Sequence, residues 1–279
     1  MEKTKVYFTK KITPETMIKM YETLGIELPG KVAVKVHSGE VGNQNFIKPN
    51  FMEPIIKYVN GTIVECNTAY EGKRNTTKEH WETMKLHGWC DIAAVDIMDE
   101  EGEMELPVKN GYHLKNYDSM LVLSHFKGHP MGGFGGALKN ISIGIASSHG
   151  KAHIHGAGIP EEIWTADHDS FLESMADAAQ TIVDYYQENI AFINVMCNMS
   201  VDCDCCAVAE DPAIADIGIL CSTDPVALDQ ACLDLVYASN DPGKSHLLER
   251  IESRNGVHIV EAAAALKIGS REYELINID

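Results

Sequence analysis

The chain has 279 residues, enough for one large α/β domain or two smaller lobes, and its 45% hydrophobic and 23% charged content excludes a disordered or fibrous chain. A formal charge of -18, from 41 acidic against 23 basic residues, repels nucleic acid and anionic membranes, so neither is an expected partner. Met1 to Tyr7 holds no apolar leader and no apolar run approaches the ~18 residues of a membrane span, so a cytoplasmic protein is expected.

Thr13 can cap a first helix with Pro14 at its first position and Gly25 beyond its end, and a strand follows over 31–36. A polar loop from His37 to Lys48 leads to a helix over 49–59, stopped at Asn60-Gly61. Thr62 to Cys66 then reads as a second strand. After another polar loop, a helix over 77–87 ends at Gly88, and residues 91–95 lead to the apolar strand Met120-Leu121-Val122-Leu123. Farther on, Asp169 can cap a long helix to about Glu188, with Phe171, Met175, Ala178, Ile182 and Tyr185 on its core face. Residues 190–195 and 217–220 read as strands, Ser222 to Pro225 starts a helix through about Ala238, and 273–278 reads as a final strand.

This alternation predicts an α/β layered fold with a largely parallel or mixed central sheet flanked by helices. A single domain over 1-279 is the simplest organisation; two lobes would part near 155-170. In open α/β sheets ligands gather beyond the carboxyl ends of the strands. Lys35, His37 and Glu40, with Glu65, Asn67, Thr68, Arg74 and His80, lie at or after strand ends and are expected to converge on one pocket.

The segment Ser124 to Asn140 has the composition of a site: His125, Lys127, His129 and Lys139 stand among Gly128, Gly132, Gly133, Gly135 and Gly136. Glycine lets the main chain approach a ligand closely, so the backbone at Gly132 to Gly136, with Lys127 and Lys139, is expected to bind a phosphate or carboxylate. Neither a dinucleotide fingerprint nor a phosphate-binding P-loop can be drawn through these glycines. His125 and His129 are candidates for metal ligation or proton transfer. Lys151 to His155 would set His153 and His155 on one face if extended.

Eight cysteines in a cytosolic chain should be mostly reduced. Cys66, Cys90, Cys221 and Cys232 read as core thiols, whereas Cys197, Cys203, Cys205 and Cys206 fall within ten residues. Thiolates select zinc, copper(I) or iron–sulfur clusters, and a C-x-C pair can also exchange electrons. Asp202 and Asp204 beside that pair are expected to raise its thiol pKa.

The segments Lys35 to Asn43, Asn67 to Tyr70 with Arg74, His80 and His87-Gly88, Ser124 to Asn140, Gly150-Lys151 with His155, Asp202 to Cys205, and Asp216 to Leu220 leading to Asp224 to Asp229 resemble the domain-of-unknown-function family 362. This prokaryotic family is associated with iron–sulfur proteins, and many members carry a ferredoxin module after the segment matching Lys151 to His155. Here Ile159 to Asp169 contains no cysteine, so this is a short form and the inserted ferredoxin clusters are expected to be absent.

The resemblance and the residues together imply a metal-dependent or redox enzyme, an oxidoreductase in one form, acting on a small anionic metabolite. His125, His129 and Lys127 are the catalytic candidates. Ligand binding would fall to Lys35, His37, Asn67, Arg74, Gly132, Gly133, Gly135, Gly136, Lys139, Asn140 and Lys151. Cys203, Cys205 and His155 would hold a metal ion, iron or zinc, and a separate electron carrier would be a partner. The alternative is a non-catalytic protein that binds and delivers a metal or cofactor; it would present an exposed Cys/His site with no adjoining organic-ligand pocket.

Overall fold

The computed structural model describes residues 3–279. Its elements in chain order are β1 (Thr4–Thr9), α1 (Pro14–Thr23), β2 (Val32–Lys35), α2 (Pro49–Tyr58), β3 (Thr62–Glu65), α3 (Thr77–His87), α4 (Trp89–Ile92), β4 (Val95–Ile97), β5 (Glu103–Glu105), β6 (Lys109–Gly111), β7 (Ser119–His125), β8 (Lys127–His129), β9 (Gly133–Gly135), α5 (Ala137–Ser142), α6 (Ser148–His155), α7 (His168–Tyr186), β10 (Ile190–Met196), β11 (Gly218–Ser222), α8 (Pro225–Ala238), α9 (Lys244–Ser253), α10 (His258–Ala265) and β12 (Tyr273–Asn277).

Eight strands form one sheet in the order β12-β1-β11-β10-β7-β2-β3-β4. The pairs from β10 through β4 are parallel, and β11 alone runs antiparallel to both its neighbours. Successive residues of β7 serve opposite faces: Met120 and Val122 join the core under α5, α7, α8 and α10, whereas Leu121 and Leu123 join that under α1 and α2. Helices on both faces explain why β7 is an unbroken apolar run. Among the described residues, no helix is long and apolar enough to cross a membrane.

Local chemistry sets the helix ends. Thr13 caps α1 ahead of Pro14, and Asp224 caps α8 ahead of Pro225, accepting from the backbone N–H groups of Val226 and Ala227. Two readings need correction. The long helix is capped by Asp167, which accepts from the Ser170 N–H at 3.0 Å, while Asp169 accepts from Asn255. Lys151 to His155 is helical, because Ser147 caps α6 through the Gly150 N–H and Ile154 is buried. His153 and His155 therefore do not share a face as they would in a strand.

Candidate functional site

β2 continues outward through β3 and β4, whereas the chain returns at β7 on the other side of β2 and continues to β10. The sheet order thus reverses between β2 and β7, the position where α/β sheets open a crevice at their carboxyl ends. A cavity of about 50 Å³ lies there. A water needs roughly 10–15 Å³ by the same kind of measure, so the space suits a compact group of a few heavy atoms.

Five basic side chains, Lys35, Arg74, Lys127, Lys139 and Lys151, and one carboxylate, Glu65, line the cavity, with His37, Tyr70, His125, Asn140 and Cys205 among the rest. Lys35 ends β2 and donates to Glu65 Oε2 at 2.7 Å, while Glu65 Oε1 accepts from the Ser38 N–H. Burial pushes the Glu65 carboxyl up, but the positive charges beside it, Lys35 foremost and Arg74 among them, outweigh it and hold the group well below the usual range. Arg74 Nε donates to Glu40 Oε2 at 3.3 Å, and its Nη1 lies 4.0 Å from Glu65. Its Nη2 is buried with no hydrogen-bond partner.

Lys127 pairs with Asp204 at 3.1 Å. Lys139 and Lys151 have no carboxylate partner among the described residues; Lys151 Nζ instead donates to the Ala146 carbonyl at 2.5 Å. Burial lowers the Lys151 ammonium from its ordinary value, a fall that a bound anion would reverse. The pocket is locally basic within a strongly acidic chain.

The Gly-rich segment is a β-hairpin, β8 paired with β9, running into α5. Gly135 and Gly136 line the cavity; Gly132 and Gly133 do not. The Gly132 N–H donates to His129 Nδ1 at 2.8 Å, and Gly133, at φ +76°, packs against Gly256. The N–H groups of Ala137 and Leu138 at the start of α5 are taken by the Asp229 carboxylate at 2.8 and 2.9 Å. The N–H groups of Gly132, Ala137 and Leu138 are thus taken within the protein, and the positive charge facing the cavity comes from side chains.

His125 stands at the end of β7 with Nδ1 3.0 Å from both oxygens of Asp204 and Nε2 2.6 Å from the Cys197 carbonyl. With both nitrogens engaged, it has none free for a reacting group or a metal. Burial pushes the Asp204 carboxyl up, but His125 and Lys127 together hold it well below its ordinary value. The Cys205 thiol is raised, as expected beside Asp204, but the causes are its cysteine neighbours and burial: its hydrogen bond to Cys203 lowers it, while that to Cys206 and burial raise it further. The contacts of His125 and Lys127 with Asp204 bring the segment 203–205 beneath the Gly-rich hairpin.

His129, Cys203 and Cys205 offer ligand atoms within 4.8 Å of one another, a group that could hold a metal ion. Two thiols and an imidazole suit zinc or iron better than magnesium or calcium, and match a mononuclear site rather than a four-thiolate cluster. His129 Nδ1 accepts from the N–H groups of Gly132 and Met131, so the neutral ring carries its proton on Nε2. In that tautomer it can donate to a thiolate sulfur, and it ligates a cation only by losing the Nε2 proton. Burial first, then the Lys139 charge, lower its pKa to about 3. His155 falls outside the group: Nδ1 is bonded to the Lys151 carbonyl at 2.7 Å and the ring stacks on Phe171.

Of the ligand-binding candidates, Lys35, His37, Arg74, Gly135, Gly136, Lys139, Asn140 and Lys151 meet at the cavity. Asn67 does not line it; its amide links Thr77 and His80 instead. The sequence reading missed Tyr70 and Cys66 in the lining and the roles of Asp204 and Asp229 behind it. Asp204 carried a local signal, as the one carboxylate inside the C-x-C pair.

The architecture defines an α/β protein with a basic switch-point pocket beside a Cys/His group. The chain belongs to the DUF362 family, a domain of unknown function, whose model matches residues 32–234. Two of the solved structures similar to it illustrate the range. One is the lactate racemase apoprotein from Thermoanaerobacterium thermosaccharolyticum, with 16% identity and a TM-score of 0.48, over 82% of this chain and 56% of that one. The other is a protein from Thermotoga maritima, with 14% identity and a TM-score of 0.39, over 90% of this chain and 58% of that one. The chain thus spans little more than half the length of either. No curated protein sequence matches it.

Proposed function

We propose that the protein is an enzyme that binds a small anionic metabolite in the switch-point pocket and acts on it with the thiol and imidazole groups alongside. The observation that carries this reading is the Arg74 guanidinium, buried with Nη2 unpartnered in a cavity that also receives Lys139 and Lys151 without carboxylate partners. An unpaired buried donor costs about 1–3 kcal/mol, more when charged, and an oxyanion in the cavity would satisfy it.

Arg74 and Lys139 would hold the anion, and its charge would oppose the burial that lowers the Lys151 ammonium. Lys127 is kept protonated: burial lowers its pKa, but the Asp204 and Cys203 charges raise it further, so it supplies positive charge rather than acting as a base. His37 lines the cavity with Nδ1 accepting from the Gly39 N–H; burial first lowers its pKa to about 4, leaving a neutral ring. Iron or zinc at Cys203 and Cys205 would supply Lewis-acid or redox chemistry at the cavity wall, with His129 donating to sulfur.

The delivery-protein alternative draws on the same Cys/His group. Cys203 and His129 are buried, and Cys205 opens onto the anion cavity, which favours the enzyme. The test is calorimetric titration with inorganic phosphate and with carboxylates of two to four carbons, on wild type and Lys139→Ala. Saturable binding that weakens about tenfold or more in the variant supports the reading, since a charge-assisted contact contributes ~1.5–3 kcal/mol. Absence of binding, or equal affinity in the two proteins, would overturn it.

A further inference from the structure

Asp229 lies on α8 and is fully buried, remote in sequence from the hairpin it touches. Oδ1 accepts from the Ala137 N–H at 2.8 Å and Oδ2 from the Leu138 N–H at 2.9 Å, and Asn194 Nδ2 on β10 donates to Oδ1 at 2.7 Å. Gly136 is required at the turn before α5, because a Cβ there would stand 2.3 Å from Asp229 Oδ1. Gly136, Lys139 and Asn140 line the anion cavity on either side of that contact. One carboxylate therefore fixes the turn that carries an anion-binding lysine.

The site also has a second arrangement available. Asn194 Oδ1 is buried and without a hydrogen-bond partner. Turned over, that amide would present its oxygen to Asp229, where it could accept a hydrogen bond from the O–H of the neutral acid. A protonated Asp229 would keep one oxygen as a weaker acceptor for α5 and turn the other toward Asn194.

We infer that Asp229 is a positioning residue of the anion pocket: its ionised carboxylate holds the first turn of α5, and with it Lys139, in the binding geometry, and its protonation releases that turn. The inference rests on the anion-pocket reading above. Burial first pushes the carboxyl up, the three donors offset part of that rise, and the balance is about 6. The titratable groups that act on it are Asp224, the cap of α8, and Cys232 on α8; α5 faces it with backbone N–H groups and β10 with an amide. The release therefore falls in the mildly acidic range.

Sulfate is the probe, because its charge does not change across that range, and calorimetry at pH 7.5 and 5.5 is the measurement. His37, His129 and His155, at about 4, 3 and 4, stay neutral throughout. Acidification otherwise adds positive charge to a protein and tightens sulfate, so a loss of affinity has the opposite sign to the general effect. Wild type is expected to bind sulfate about fourfold more weakly at pH 5.5, following the fraction of protein in the competent state. Asp229→Asn is expected to bind weakly at both pH values without that fall. Sulfate affinity in wild type that is flat or rises on acidification overturns the inference, and needs no variant; so does an Asp229→Asn protein that keeps the wild-type fall. Absence of sulfate binding at both pH values overturns the anion pocket and this inference together.

Discussion

His125 Nδ1 lies 3.0 Å from both carboxylate oxygens of Asp204, and this contact ties the end of the central strand β7 to the cysteine segment 79 residues later. Lys127 shares the same carboxylate at 3.1 Å. All three groups are nearly inaccessible to solvent, so removing the negative charge strands two nitrogen donors in the interior. Asp204→Asn is therefore expected to destabilise the fold by about 3–5 kcal/mol, the cost of breaking a buried ion pair from one side. Denaturant unfolding at neutral pH checks this; a loss within 1 kcal/mol would show that the contact does not organise the site.

The buried histidines give a pH dependence with a definite sign. Burial is the first cause in each case, and it lowers His37 and His155 to about 4 and His80 and His129 to about 3. The unfolded chain takes up these protons near pH 6.5, so the fold loses stability as pH falls from there toward 4, by ~1.4 kcal/mol per pH unit for each group. Asp229, raised to about 6 by burial, opposes the trend, as do His113, where burial is outweighed by its carboxylate partners, and His258, raised by its own. Unfolding midpoints measured from pH 7 to 4 should fall steadily; a flat profile would mean that these rings are not buried in neutral form.

Metal content separates the histidines. Protein purified without oxygen and without a metal-binding tag is expected to carry zinc or iron that a Cys203→Ser, Cys205→Ser double variant loses, while His155→Gln keeps it, since that ring is bonded to Lys151 and stacked on Phe171. Elemental analysis decides. Equal metal content in the double variant would remove the ion from Cys203 and Cys205.

The start of α7 offers a local check on the cap assignment. Asp167→Ala should cost ~1 kcal/mol through the lost bond to the Ser170 N–H. Asp169→Ala should cost less, because its exposed side chain accepts a single exposed hydrogen bond, from Asn255. Comparable losses in the two variants would contradict the assignment.

Much of the architecture is legible in the chain itself. Thr13-Pro14, Asp224-Pro225 and the Gly88 stop mark helix ends by local chemistry, and β7 reads as a fully buried strand from four consecutive apolar residues. The hairpin of β8 and β9 is not legible, because Gly-Phe-Gly has little strand propensity and forms one only by pairing with Lys127 to His129. The convergence of Lys35, His37 and Arg74 on one pocket follows from strand ends, which local periodicity can locate. Asp204 meets His125 79 residues away and Asp229 meets Ala137 92 residues away; the C-x-C setting singles out Asp204, but no local pattern names such distant partners.

Occupation of the cavity by a small oxyanion, held against Arg74 and Lys139, is to be tested with a crystal structure determined in inorganic phosphate. An ordered anion is expected within hydrogen-bond distance, about 3 Å, of Arg74 Nη2 and of Lys139 Nζ. A cavity holding only water at saturating phosphate, with Arg74 Nη2 bonded to that water, would contradict it.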